Sequence, residues 1–156
     1  MKRRFFFATF AATGIASDAL GLSTDQRLLR VWRDPNCNCC TGWVRHMRGA
    51  GFIVEDNLVA SADAVRRTLG IPADLLSCHA SSVEGYALEG HVPAGAVLRL
   101  LSQRPGGVRG LAVPYMPIGS PGMEVPNQPD DIYNVIAFGP GNRRQVFMRF
   151  RGGQVI

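Results

Sequence analysis

Three cysteines within four positions, in the stretch DPNCNCCTGW (residues 34–43), constrain this chain more than any other feature. A disulfide framework spreads its partners along a chain, because each staple acts by closing a loop. Crowding Cys37, Cys39 and Cys40 together instead gives the sulfurs one shared task. The motif also has a defined place in the chain. LLRVWR (Leu28–Arg33) reads as a compact strand and Asp34-Pro35-Asn36 as a turn. From about Cys39 to Gly49, the spacing of Cys40, Val44 and Met47 marks one face of a helix. Asn36 or Asn38 is expected to cap its start, and Gly49 or Gly51 its end.

FIVEDNLV then reads as a second strand and residues 62–69 as a second helix, stopped by Gly70 and Pro72. Glu84-Gly85 is expected to turn a hairpin between two short strands, and Pro93 to open a helix over residues 94–101. YNVIAF and QVFMRF flank Gly-Pro-Gly-Asn as a further hairpin. A βαβα order followed by a terminal hairpin implies an α/β domain with a mixed sheet. A cysteine motif between the first strand and the first helix is also where thioredoxin-like proteins carry theirs. The expected architecture is therefore a thioredoxin-like mixed sheet with flanking helices, residues 77–102 being an insertion. Between these elements, PYMPIGSPGMEVPNQPD holds five of the ten prolines, from Pro114 to Pro129. Neither a helix nor a central strand runs through such spacing, so a long Pro/Gly-rich loop is expected, of a kind more often functional than not.

The 156 residues suffice for one domain with a real core, and 46% apolar against 19% charged residues is a globular balance rather than a disordered one. Part of the +5 net charge sits at Lys2, Arg3 and Arg4, ahead of an apolar run over residues 5–16 and the small residues Ser17 and Ala19. That order reads as a signal peptide over residues 1–19, cleaved after Ala19 or alternatively Ala16, leaving a single domain over residues 20–156. The run is too short for a permanent membrane span. Arg3-Arg4-Phe5-Phe6 weakly resembles a twin-arginine signal, so the export route stays open. The destination is an oxidising compartment such as a bacterial periplasm, where unprotected thiols pair. Three adjacent cysteines kept reduced there need a metal or a redox partner. With Arg66-Arg67 and Arg143-Arg144 only isolated pairs, nucleic-acid binding has no basis. No nucleophile elbow, phosphate loop or dinucleotide fingerprint is present.

Cys37 and Cys40 have the C-x-x-C spacing of a redox dithiol at a helix N-terminus. Cys39 does not belong to that scheme, since a third thiolate invites wrong pairing. If Cys37 precedes the helix, all three sulfurs can approach one centre, and Cys78 supplies a fourth. Thiolates select soft Cu(I) and also bind zinc, but this spacing is not that of a zinc ribbon. Met116 and Met123 lie in the proline-rich loop outside any core pattern, and their thioethers suit Cu(I). His79 and His91 are possible ligands or supports of ligands. His46 reads as a surface residue, and Glu84 and Glu89 as solvated turn charges.

Together, VWRDPNCNCCTGWVRHMRGAGF, LLSCHASSVEGYALEGHVPA and RGLAVPYMPIGSPGME resemble the CopG-like copper-resistance family, small exported bacterial proteins. The resemblance spans about residues 28–150. It implies a thioredoxin-like fold and Cu(I) held by Cys37, Cys39, Cys40 and Cys78 in a multinuclear, cysteine-bridged site. It also implies a role in copper resistance alongside other copper-resistance proteins, and it admits copper redox chemistry, which would make the chain an oxidoreductase. The family pattern carries glycine where this chain has Asn38 and Tyr115, and threonine where it has Ala80. The expectation is a periplasmic copper-binding protein, with Met116, Met123 and His79 as candidate ligands beside the four cysteines. The alternative is a thiol–disulfide oxidoreductase using Cys37 and Cys40.

Overall fold

In LLRVWR the alternate residues Leu29, Val31 and Arg33 are buried, the two-residue period of a strand with one covered face. A computed structural model describes residues 27–156. In it this segment is β1 (Leu28–Arg33), followed by α1 (Asn38–Gly49), β2 (Ile53–Leu58), α2 (Asp63–Leu69), β3 (Ala80–Val83) and β4 (Tyr86–Glu89). Then come α3 (Ala94–Gln103), β5 (Gly110–Ala112), β6 (Ile132–Gly139), β7 (Arg143–Arg151) and β8 (Gln154–Val155). The described strands form one sheet in the order β2-β1-β3-β4-β5-β6-β7-β8. β1 runs parallel to β2, and β4 parallel to β5. All other neighbours are antiparallel, so the sheet is mixed, as expected. The signal peptide and its boundary at residue 19 lie outside the described residues. Among the described residues no helix is long and apolar enough to cross a membrane.

Strand alternation sends two sets of side chains to opposite faces. Leu88, Leu111 and Ala137 stand in register and join the larger core with Trp43, Val44 and Met47 of α1 and Val97, Leu100 and Leu101 of α3. Their neighbours Ala87 and Phe138 point the other way and pack with Ala62 and Ile71, against Val65 and Leu69 of α2. Thus α1 and α3 cover one face and α2 the other. Trp43 is fully buried, and its indole N–H donates to the Val92 carbonyl at 2.9 Å, so the middle of α1 is tied to the entry of α3.

Most expected elements are present with boundaries within a residue or two. The hairpin at Glu84-Gly85 has φ of +45° and +84°, the pair of left-handed residues that a tight two-residue turn requires. Two expectations are corrected. Residues 77–102 are no insertion: β3 hydrogen-bonds to β1, β4 lies between β3 and β5, and α3 packs into the main core. ASSV of β3 is buried at Ala80, Ser81 and Val83 with helices on both faces of the sheet, so it lacks the alternation that marks a half-exposed strand. The cap of α1 is neither Asn36 nor Asn38 but Cys37, whose Sγ accepts from the Cys40 N–H at 3.4 Å. Asn36 instead completes a turn with the Asp34 carboxylate, and Asn38 is already helical.

Candidate metal centre

The ladder between β1 and β3 pairs Trp32 with Ala80. The chain leaving β1 therefore reaches Cys37 beside the point where Cys78 leads into β3. Asp34 shapes the exit: its carboxylate accepts from Asn36 N–H at 2.7 Å and its carbonyl from Cys37 N–H at 3.1 Å. Arg33, buried, holds this corner through paired 2.8 Å bonds to Asp56 on β2. The four sulfurs of Cys37, Cys39, Cys40 and Cys78 lie within 4.8 Å of one another. Cys40 is fully buried and the other three partly so. Cys37 and Cys40 form a disulfide, Cys39 and Cys78 are free thiols, and Cys39 Sγ stands 3.4 Å from Cys37 Sγ. On reduction this becomes a four-thiol cluster with no acidic residue in the adjoining helical turn, a donor set for a soft cation.

Cys78 also belongs to a second group, with His79 and His91, whose ligand atoms fall within the same 4.8 Å limit. His91 Nδ1 stands 2.8 Å from the Pro121 carbonyl. A carbonyl only accepts, so Nδ1 carries the proton and Nε2 presents its lone pair to Cys78 Sγ, 2.8 Å away. Burial, with Cys39 close by, pushes the Cys78 thiol up to about 12, and burial lowers His91. The contact is thus a neutral thiol donating to a neutral imidazole. A metal-binding histidine needs the same tautomer, fixed by the same kind of carbonyl. His79 is fully buried between Trp43 and His91, with ring centroids 4.4 and 5.1 Å away. Its Nδ1 lies 3.6 Å from Cys78 Sγ, while Nε2 meets no protein partner. Burial holds its basicity well below the ordinary histidine value.

Two polar residues depart from expectation. His46 is not a surface side chain. Its Nε2 accepts from the Ala94 N–H at 3.0 Å and caps α3, where Pro93 has no side chain able to do so. Glu89 is no solvated turn charge but fully buried, bonded to Arg66 Nη2 at 2.9 Å and to the Ser77 N–H at 2.7 Å. Glu84 is the partly exposed carboxylate, paired with Arg27 and Arg104.

The His46 cap carries a pH dependence. Burial lowers its basicity from 6.5, outweighing the pull of Glu124. The unfolded chain therefore takes up the proton first, so the stability from this group is complete above about pH 6.5 and drains as pH falls below it. Metal-free protein should lose melting temperature as pH falls below about 6.5, and His46→Gln, which keeps an acceptor but no proton site, should lose less. Parallel melting profiles for the two proteins would refute the cap's role.

Residues 113–131 carry no helix or strand. Within them Ser120 is buried, the Gly119 N–H donates to the Met123 carbonyl at 2.9 Å, and the Met123 N–H to Ser120 at 2.7 Å. The loop sits directly on the first turns of α1. A Cβ on Gly42 would come within 2.8 Å of Gly122 Cα, and one on Gly122 would meet the Cys39 carbonyl. Met123 is thus anchored beside the cysteine helix and half-buried. Met116 is 51% exposed and lines a surface cavity of about 470 Å³ with Pro114, Tyr115, Tyr133 and Ile136, none of them a sulfur ligand.

A family model described as "Protein of unknown function, DUF411" matches residues 75–123, the span holding Cys78, His79, His91 and both loop methionines. No curated protein matches the chain. Two solved structures titled copper resistance protein CopG, Form 2 and Form 1, are each 38% identical to it. Both cover 80% of this chain and 98% of their own, with TM-scores of 0.74 and 0.73. The chain belongs to the CopG family. The resemblance read from three sequence segments is therefore established as kinship. One departure from the CopG-like pattern carries a conformational cost. Tyr115, standing where glycine is usual, has φ of +66°, a left-handed conformation costing a side-chain-bearing residue roughly 1 kcal/mol or more. Its ring is 81% exposed, so the bulk is turned into solvent rather than into the site.

Proposed function

We propose that this chain is a copper-binding protein of copper resistance, exported to the periplasm, that holds Cu(I) at its reduced C-x-C-C cysteines and Cys78. The observation that carries the reading is the approach of four sulfurs from two chain segments to within 4.8 Å. Neutral, thiol-rich and poor in carboxylates, this donor set suits a soft monovalent ion, and kinship with CopG names the metal. Crowding favours thiolates that bridge several ions over a closed mononuclear site. His79, grouped with Cys78 in the fold, is a further candidate donor, as are the thioethers of Met123, one residue past the Gly122 that abuts the cysteine helix, and of the more exposed Met116. Copper ions are the cargo, exchanged with other copper-resistance proteins. Residues 1–19 act as the export signal, and residues 20–156 form one thioredoxin-like domain. The order β2-β1-β3-β4, with α1 leaving β1 at the cysteines, supports that architecture.

Titration of reduced protein tests this. More than one Cu(I) per chain should bind, and Cys39→Ser should lower that number. Equal uptake by wild type, Cys39→Ser and Cys37→Ser would sink the assignment. The Cys37–Cys40 disulfide favours a second reading, a thiol–disulfide oxidoreductase. It predicts that Cys37→Ser abolishes dithiol exchange while Cys39→Ser leaves it intact.

A further inference from the structure

Cys78 occupies a bend outside any strand, since β3 begins only at Ala80. No ladder hydrogen bond fixes its backbone, yet its sulfur must reach three others carried by α1. What holds it is a buried ion pair acting on the residue before it. Arg66 of α2 lies across Glu89 of β4, with Nε at 3.2 and 3.1 Å from the two carboxylate oxygens and Nη2 at 2.9 Å from Oε1. The same Nη2 donates to the Ser77 carbonyl at 2.8 Å, and Glu89 Oε1 accepts from the Ser77 N–H at 2.7 Å. Both backbone polar groups of Ser77 are thus gripped by one guanidinium–carboxylate pair. The Ser77 hydroxyl donates to the Tyr115 carbonyl, and Gly90, with φ of +71°, leaves room for Ser77 to pack against it.

A charge pair with Glu89 fully buried and Arg66 14% exposed is an expensive way to stabilise a fold, because apolar residues of similar volume do as well or better. Its geometry points to specificity of position. We infer that Arg66 and Glu89 are positioning residues that set Cys78, through Ser77, against the sulfurs of Cys37, Cys39 and Cys40. The guanidinium fork is required: one Nη reaches carboxylate and carbonyl together while Nε completes the pair, which an ammonium cannot do. Asp63, 65% exposed at 3.2 Å from Arg66 Nη1, touches the outer end of the fork and is not needed for the grip.

The inference rests on the copper reading only for what Cys78 is positioned to do, and its test needs no metal. In the disulfide form Cys39 and Cys78 are the two free thiols, so iodoacetamide labelling resolved by peptide mass reports each separately. Arg66→Lys, which keeps the charge opposite Glu89, should speed labelling of Cys78 about tenfold, as expected for loss of one charge-assisted hydrogen bond. Cys39, seated on α1, should change by less than about twofold, and Asp63→Asn should leave both thiols as they were. Glu89→Gln, which retains an acceptor for the Ser77 N–H but not the pair, should repeat the Cys78 effect and provides a second test. Equal acceleration at both thiols would mean general loosening and would overturn the inference, as would an unchanged Cys78 rate. If Cys78 responds as expected while Cu(I) retention ignores both variants and Cys78→Ser alike, the grip stands and the copper reading falls.

Discussion

Protein carrying the Cys37–Cys40 disulfide is expected to hold Cu(I) at least about a thousandfold less tightly than the reduced protein, since thiolate ligation carries a binding free energy of the order of 10 kcal/mol and half the sulfurs are withdrawn. A disulfide sulfur has no thiolate charge to offer. It also ties Cys37 to Cys40, so the remaining thiols, Cys39 and Cys78, are left to bind alone or with a histidine. Competition against a Cu(I) chelator, run on anaerobically reduced protein and on protein with the disulfide verified by mass, measures the difference. A ratio near one would show that Cys37 and Cys40 are not ligands. The two readings of the chain meet here, because the pair that would exchange electrons is also half of the sulfur set. Reduction would load the site and oxidation would empty it.

Where the chain speaks locally, its sequence is legible. The strand period of LLRVWR, the helical spacing of Cys40, Val44 and Met47, and the Glu84-Gly85 turn each depend on neighbours within a few residues, and each appears in the fold. The triplet announced a shared sulfur task because crowding itself is local. What escaped depends on partners far along the chain. Glu89 looks like any turn carboxylate until Arg66 and Ser77, 23 and 12 residues away, close on it. His46 looks like an exposed helical residue until α3, 48 residues on, brings an uncapped N–H to its ring. Likewise, His91 could be named as a candidate ligand, but its tautomer is set by Pro121, 30 residues later in a loop without regular hydrogen bonding. The hairpin strand β3 was expected, but not its place beside β1 inside the sheet: covered on both faces and built of small residues, it carries no polar–apolar period to mark it as central.

That proline-rich loop is where the second large effect is expected. Gly122 has φ of +89°, and a Cβ there would meet the Cys39 carbonyl and approach the Trp43 nitrogen to 2.6 Å. Both obstacles are backbone atoms of a helix seated in the core, so they cannot swing aside as a side chain would. Gly122→Ala should therefore lift the loop, at a cost of about 3 kcal/mol or more from steric overlap and the left-handed backbone together. Undocking also withdraws the Pro121 carbonyl from His91, releasing the tautomer that aims Nε2 at Cys78. Amide exchange across residues 114–125 should quicken, and Cu(I) retention should weaken even though every sulfur is intact. Paired substitution of Met116→Leu and Met123→Leu separates anchoring from ligation, because leucine keeps the apolar volume and removes only the thioether. Weakened retention with the loop still protected would make the methionines ligands. Retention unchanged in the leucine pair but lost in Gly122→Ala would assign the loop's part to holding His91, and an unaltered Gly122→Ala protein would remove the loop from the site altogether.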